Sequence, residues 1–142
     1  MITTASTEQE IRGILDERFA ALSAQDAEAV LALGSLDPVQ YTLAPPLSTP
    51  NEVGPFREWL NSWAELSYET RDLEITAGEE VAFCHALVRM SGRKHGQDSF
   101  AMWFRQTTGF RKVDGSWKIT HEHESVPFAM DGSFLACVDL EP

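Results

Sequence analysis

The chain is poor in the features that would tie it to a membrane, a nucleic acid or a disulfide framework. No apolar run approaches the roughly 20 residues a helix needs to span a bilayer. Basic residues are scarce: 11 Lys and Arg stand against 22 Asp and Glu, a net charge of −11. Neutralising phosphates requires clustered cations, and so does holding an anionic lipid surface, so neither nucleic acid nor membrane is an expected partner. The acidic excess reads as a solubility charge. The first residues, Met1-Ile2-Thr3-Thr4-Ala5-Ser6, lack the basic start and apolar core of a secretory signal, which makes the cytoplasm the expected location. Only two cysteines occur, Cys84 and Cys137, and in that compartment they are expected as reduced thiols.

What is present suits one globular domain over residues 1–142. The chain is 43% hydrophobic and 23% charged, the balance of a protein with a real core. Thr7-Glu8-Gln9-Glu10 has the pattern of a capping box, and Ile11, Ile14, Leu15, Phe19 and Leu22 behind it share one helical face. That helix is expected to reach about Ala24. Asp26 caps a short second helix that stops at Gly34, Asp37-Pro38 marks a turn, and a short strand is expected over 39–43. The three prolines of Ala44–Pro50 make a rigid loop. In a third helix Pro55 suits the first turn, and Phe56, Trp59, Leu60 and Trp63 keep helical spacing.

From Leu66 the period becomes strand-like. Four strands are predicted, at about 66–76, 80–92, 97–112 and 116–126, joined by Gly78-Glu79, Arg93–Gly96 and Asp114-Gly115. Short links favour antiparallel neighbours. The fold class is therefore α+β: a curved antiparallel sheet packed against three N-terminal helices. The tail from Pro127 carries Phe128, Met130, Phe134 and Leu135 and is expected to pack on the body.

This order of elements resembles the cone-shaped roll of the nuclear transport factor 2-like (cystatin-like) superfamily. The segments that carry the likeness are Leu43–Leu47, Arg71–Thr76, Val81–His85, Trp103–Thr107 and Gly115–Phe128. In the last of these, Trp117 precedes a His121-x-His123-x-Ser125 strand, which resembles the SnoaL-like and ketosteroid isomerase-related branch and, more distantly, the association domain of calmodulin-dependent kinase. The resemblance implies an apolar pocket between sheet and helices and a homodimer. It implies no single function, because enzymes, binding proteins and assembly modules share the fold.

An isomerase of this kind needs a carboxylate base together with a Tyr and a protonated Asp as oxyanion donors. Neither Tyr41-Thr42-Leu43 nor Trp103-Phe104-Arg105-Gln106 contains an acid, so that constellation is expected to be absent, with Thr42 marking the lost base. By simple alternation His121 and His123 share a face with Trp117, Ile119 and Ser125, and stand about 7 Å apart. They are expected to point inward, as a structural polar network, as ligand or acid–base groups, or as two metal ligands. For the last, only His85 offers a third partner, so no metal and no cofactor is expected.

Arg105, on one face with Ala101, Trp103 and Thr107, can hold an anionic or carbonyl group if that face is the inner one. Trp59, Trp63, Phe83 and Phe128 read first as core, and Cys84 as a buried small hydrophobe. The expected ligand contacts are Tyr41, Phe83, Trp103, Arg105, His121 and His123, with His121, His123 and Arg105 as catalytic candidates. The expected function is small-molecule binding, with an apolar or carbonyl-bearing ligand. The alternatives are a polyketide-cyclase-like or isomerase-like enzyme acting on a carbonyl-bearing ring, and a homo-oligomeric assembly module. A homodimer is expected through the sheet face opposite the helices, where Phe100, Met102 and Phe104 are expected to form a patch.

Overall fold

The computed structural model describes residues 4–142. Helix α1 spans Thr4–Ser23, α2 Ala27–Ala32 and α3 Val53–Asn61; strand β1 is Gly34–Tyr41, and β2 to β5 are Trp63–Ala77, Val81–Lys94, Ser99–Val113 and Ser116–Ser125. The five strands form one sheet in the order β1-β5-β4-β3-β2. Strands β2 to β5 are an antiparallel meander, but β1 runs parallel to β5, so the sheet is mixed rather than purely antiparallel. Link lengths could not reveal that pair, because it joins the start of the chain to its end.

Local chemistry accounts for most boundaries. The Asp26 side chain accepts from the Ala29 amide at 3.1 Å and caps α2. Asp114 and Gly115 both have positive φ, 50° and 82°, as a tight two-residue hairpin turn demands. Two expectations shift. Helix α1 already includes Thr4, so Thr7 lies buried within it and is not its cap. Asp37-Pro38 lies inside β1, where the register with β5 slips between Gly34 and Val39.

The helices cover one face of the sheet. Two apolar clusters fill the space between. Ile11 and Leu15 of α1 meet Ala82, Cys84, Phe110, Trp117 and Ile119 at one end. At the other, Ala21, Leu22, Ala27, Val30 and Leu60 meet Trp63 and Leu66. Met102 and Phe104 turn toward these helices, Phe104 is buried, and Phe100 stacks on Trp63 with ring centroids 5.3 Å apart. The expected outer patch of Phe100, Met102 and Phe104 is therefore an inner one.

The expected burial of the tail's apolar side chains is not seen. The tail closes on itself through Ala129 N–H to Leu135 C=O and Cys137 N–H to Pro127 C=O, both 2.8 Å, with the Phe128 and Phe134 rings 5.6 Å apart. Met130, Phe134 and Leu135 stay 69–86% exposed.

Gly92 fixes how closely β3 approaches β2. A Cβ at this position would collide with the Glu65 carbonyl oxygen, which belongs to a backbone already bent by a register slip between Trp63 and Glu65. Gly92→Ala is therefore expected to destabilise the domain by about 1–3 kcal/mol, as overpacking usually does. A urea titration of the purified variant checks this; an unchanged midpoint would show that β2 yields without cost.

Candidate functional site

A single extra residue in β5 decides which side chains enter the interior. Phe110 pairs with Ile119, and the next pair along is Gly109 with His121, so Thr120 faces no partner. Such a bulge inverts the alternation beyond it. Trp117 and Ile119 point in, and after the bulge it is Glu122 and Glu124, not the histidines, that continue inward. Gly109 permits the approach, since a Cβ there would already lie 3.4 Å from the Cβ of His121. The expectation of inward histidines is thereby corrected: it carried a strict two-residue period through a position where the ladder slips.

The interior that results has a polar layer between the two apolar clusters. Helix α1 delivers Arg18 into it, and Arg18 forms a two-pronged ion pair with Glu122, with 9% and 4% of the respective side chains exposed. One strand over, Gln106 is buried and donates to a Glu124 carboxylate oxygen at 3.2 Å. Thr108, also buried, pairs in register with Glu122 and Cys84. Tyr68 closes the layer from β2, with its ring 5.4 Å from that of Phe19. Tyr68 and Glu124 are half-buried.

The electrostatics of this layer are unbalanced. Two carboxyl groups share one guanidinium. Burial pushes the Glu124 carboxyl above its ordinary range, against the pull of Arg18 and of the Gln106 hydrogen bond. Burial, and then the neighbouring Glu124, push the Tyr68 hydroxyl up as well, so it remains a proton donor at neutral pH. Burial lowers Arg18 from its ordinary value, which Glu124 opposes, and the group stays charged. Burial also raises the Cys84 thiol, which makes it an inert core group. The layer thus sets a carboxyl able to hold a proton beside a phenol and an amide, three hydrogen-bonding groups of complementary kind.

The six residues expected to line a pocket do share a face, but it is the outer one. Tyr41, His121 and His123 form an aromatic group, with Tyr41 edge-on to the two imidazoles at 5.3 and 5.4 Å. His121 Nδ1 lies 2.8 Å from the Val39 carbonyl. Across the sheet, His123 pairs in register with Thr107, and Thr107 with His85, whose imidazole is 3.6 Å from Glu74. Arg105 donates to the Ser125 hydroxyl at 3.1 Å. Trp103 and Phe83 complete the surface; Phe83 is 46% exposed, and Trp59 and Phe128 are also exposed, so of the four aromatics read as core only Trp63 is buried. Two shallow hollows, of about 500 and 440 Å³, lie against this face, the smaller beside His85, Arg105 and Thr107. Thr42 bonds only to its own loop, through Ala44 and Thr49. Among the described residues no group of three or more His, Cys, Asp and Glu has the arrangement of a metal site.

The interior residues left a trace in the sequence that periodicity alone passes over. Arg18 falls in the stripe Ile11, Leu15, Arg18, Leu22, where an arginine is out of place unless it meets a buried acid. Nothing local showed that the acid would be Glu122.

A curved five-stranded sheet with N-terminal helices over one face is the fold of the nuclear transport factor 2-like class. Within it the chain belongs to the SnoaL-like domain family, whose model matches residues 11–129. An NTF2-like protein from Pseudomonas putida KT2440 is similar at 25% identity and a TM-score of 0.86 over 100% of both chains. A candidate dehydratase of the NTF2-like family from Streptomyces avermitilis is similar at 14% identity and a TM-score of 0.77, over 89% of this chain and 100% of that one. A candidate calcium/calmodulin-dependent protein kinase II association domain from Xanthomonas campestris is similar at 18% identity and 0.71, over 82% and 84%. No curated protein matches the sequence. Among the described residues no helix is long and apolar enough to cross a membrane.

Two outcomes are expected from the polar layer. Replacing Arg18 by Met strands Glu122 without a counter-charge, which should cost roughly 3–5 kcal/mol near neutral pH; chemical denaturation reads it. Glu124 gives a pH signature of the opposite sign. Its folded-state pKa is raised, so the folded chain binds the proton more tightly than the unfolded one. Stability from this group is present below the ordinary carboxyl range and is lost as pH rises through the folded value. Glu124→Gln should therefore flatten the decline in melting temperature between acidic and mildly alkaline pH. An identical decline in the variant would assign the effect to other groups.

Proposed function

We propose that this chain is a small-molecule-binding domain whose ligand reaches the interior polar layer from the side where Tyr68 and Glu124 are half-buried. The supporting observation is the layer itself: Arg18, Glu122, Glu124, Gln106 and Tyr68 between two apolar clusters, with two carboxyls against one guanidinium. Packing alone gives no reason for it, since well-packed apolar residues often stabilise a core as well as or better than a buried ion pair. The ligand chemistry that matches is a largely apolar ring bearing a carbonyl or hydroxyl oxygen. The ring meets the apolar walls, and the oxygen meets the Tyr68 hydroxyl, the Glu124 carboxyl and the Gln106 amide.

A second reading makes the same site an enzyme's. A carboxyl with a raised pKa can pass a proton to a departing hydroxyl or to an enolate oxygen. The likeness to the Streptomyces candidate dehydratase favours this version. His121, His123 and Arg105 have no part in it, because they lie on the other face of the sheet.

The third element of the proposal is a homodimer closed on that outer face. Tyr41, Phe83 and Trp103 stand there beside His121, His123 and Arg105, an aromatic surface that a lone domain leaves to water. The likeness to an association domain is in keeping with it. Light scattering at micromolar protein is expected to give twice the chain mass, and a monomer would end this part of the proposal.

The site is tested by a thermal-shift screen of cyclic ketones and phenols, followed by titration of any hit. Glu124→Gln and Tyr68→Phe should each weaken binding about tenfold, a loss of ~1.4 kcal/mol. His123→Ala should leave it unchanged. A hit that depends on His123 and Arg105 but not on Glu124 would move the ligand site to the outer face.

A further inference from the structure

The tail after β5 is apolar and acidic, and its large apolar side chains are about half or more exposed. Its backbone is held by the two hydrogen bonds at Ala129 and Cys137, and by Asp131, which accepts from the Ser133 amide at 3.0 Å and from its hydroxyl at 2.6 Å. Phe128, Met130, Phe134, Leu135, Val138 and Leu140 are all exposed. An isolated two-stranded hairpin is marginal in water, so surroundings that bury this one would stabilise it. Its charged residues are Asp131, Asp139 and Glu141, with no Lys or Arg.

The outer sheet face has the opposite character. In a chain of net charge −11 it carries Arg71, Arg89, Arg93, Arg105 and Arg111; its acids Glu65, Glu69, Asp72 and Glu74 are on the edge strand β2, with Glu69 opposite Arg89 in register. Among the described residues Arg89, Arg105 and Arg111 form no ion pair. Trp103 pairs in register with Arg89 and stands two residues from Arg105, while Phe83 lies six residues further along β3, next to the Arg111 pair. The edge of β4 beside this surface is open: pairing with β5 ends at Arg105 and Ser125, and residues 99–104 continue without a strand on that side. Unpaired backbone at a strand edge is a ready seat for another segment. The chain's own tail does not take it in this structure. It leaves β5 through Pro127, which has no N–H to extend the ladder, and turns back on itself.

We infer that the tail of one copy docks across the outer sheet face and open β4 edge of a second copy. Phe134 and Leu135 then meet Trp103, and Asp139 and Glu141 meet Arg89 and Arg105, which flank that ring. Two-fold symmetry makes the contact reciprocal, so each dimer carries two such seats. This rests on the homodimer reading and adds which segment makes the contact.

Sedimentation velocity of the full-length chain over a concentration series, in about 0.1 M salt, tests it. The wild type is expected to dimerise. Phe134→Ser with Leu135→Ser, and separately Arg89→Glu with Arg105→Glu, should each raise the dimer dissociation constant about tenfold or more. Asp139→Arg with Glu141→Arg should do the same; combined with the two arginine reversals, it should restore dimerisation to within about threefold of wild type. The tail acids are exposed, so their variants test the contact even if the apolar pair disturbs folding. A monomeric wild type overturns both the dimer and the docking. A wild-type dimer that ignores the tail substitutions, or a charge exchange that restores nothing, overturns the docking alone and leaves two sheets packed face to face.

Discussion

Arg18 and Glu122 are 104 residues apart in sequence, and their ion pair is the point on which the interior turns. Neither charge tolerates burial alone, because removing one partner leaves the other in a medium that solvates it poorly. Their pairing therefore constrains α1 against β5. Helix α1 must present Arg18 at one rotation about its axis, and that rotation also sets Ile11 and Leu15 into one apolar cluster and Leu22 into the other. Strand β5 must turn Glu122 inward, and only the bulge at Thr120 allows this while Trp117 and Ile119 stay in the core.

The same bulge sorts the chemistry of the molecule onto two faces. Inside are hydrogen-bonding and charged groups: Glu124, Tyr68 and Gln106, backed by the Arg18–Glu122 pair. Outside are rings and cations that suit a broad surface: Tyr41, His121, His123, Trp103 and Arg105. On the proposed reading, ligand recognition and association between copies use different side chains.

Ketosteroid isomerase chemistry needs a carboxylate base with a Tyr and a protonated Asp as oxyanion donors. The acids sought near Thr42 and Phe104 are indeed missing from those positions, yet the domain holds a phenol and a carboxyl with raised pKa values elsewhere in its interior. The two groups come from β2 and β5. The cone offers several strands whose inner positions converge on one space, so a polar pair can move between strands while the fold stays the same.

Much of the architecture was legible in the residues themselves. The apolar stripe of the first helix, the Asp26 cap, the Asp114-Gly115 turn and the change of period near Leu66 place most of the elements, because each depends on neighbours within a few residues. The strand pairing that follows from short links was legible for the same reason. The orientation of β5 was not. Alternation puts His121 and His123 inside, and one unpaired residue reverses them; Gly109, on the strand opposite, is the only local hint. The parallel pairing of β1 with β5 and the meeting of Arg18 with Glu122 were equally out of reach, since both join the two ends of the chain. Local chemistry determined which elements form and where they stop. The tertiary structure alone decided which way their side chains face, because facing is a property of register, and register is set by contacts between segments that the sequence holds far apart.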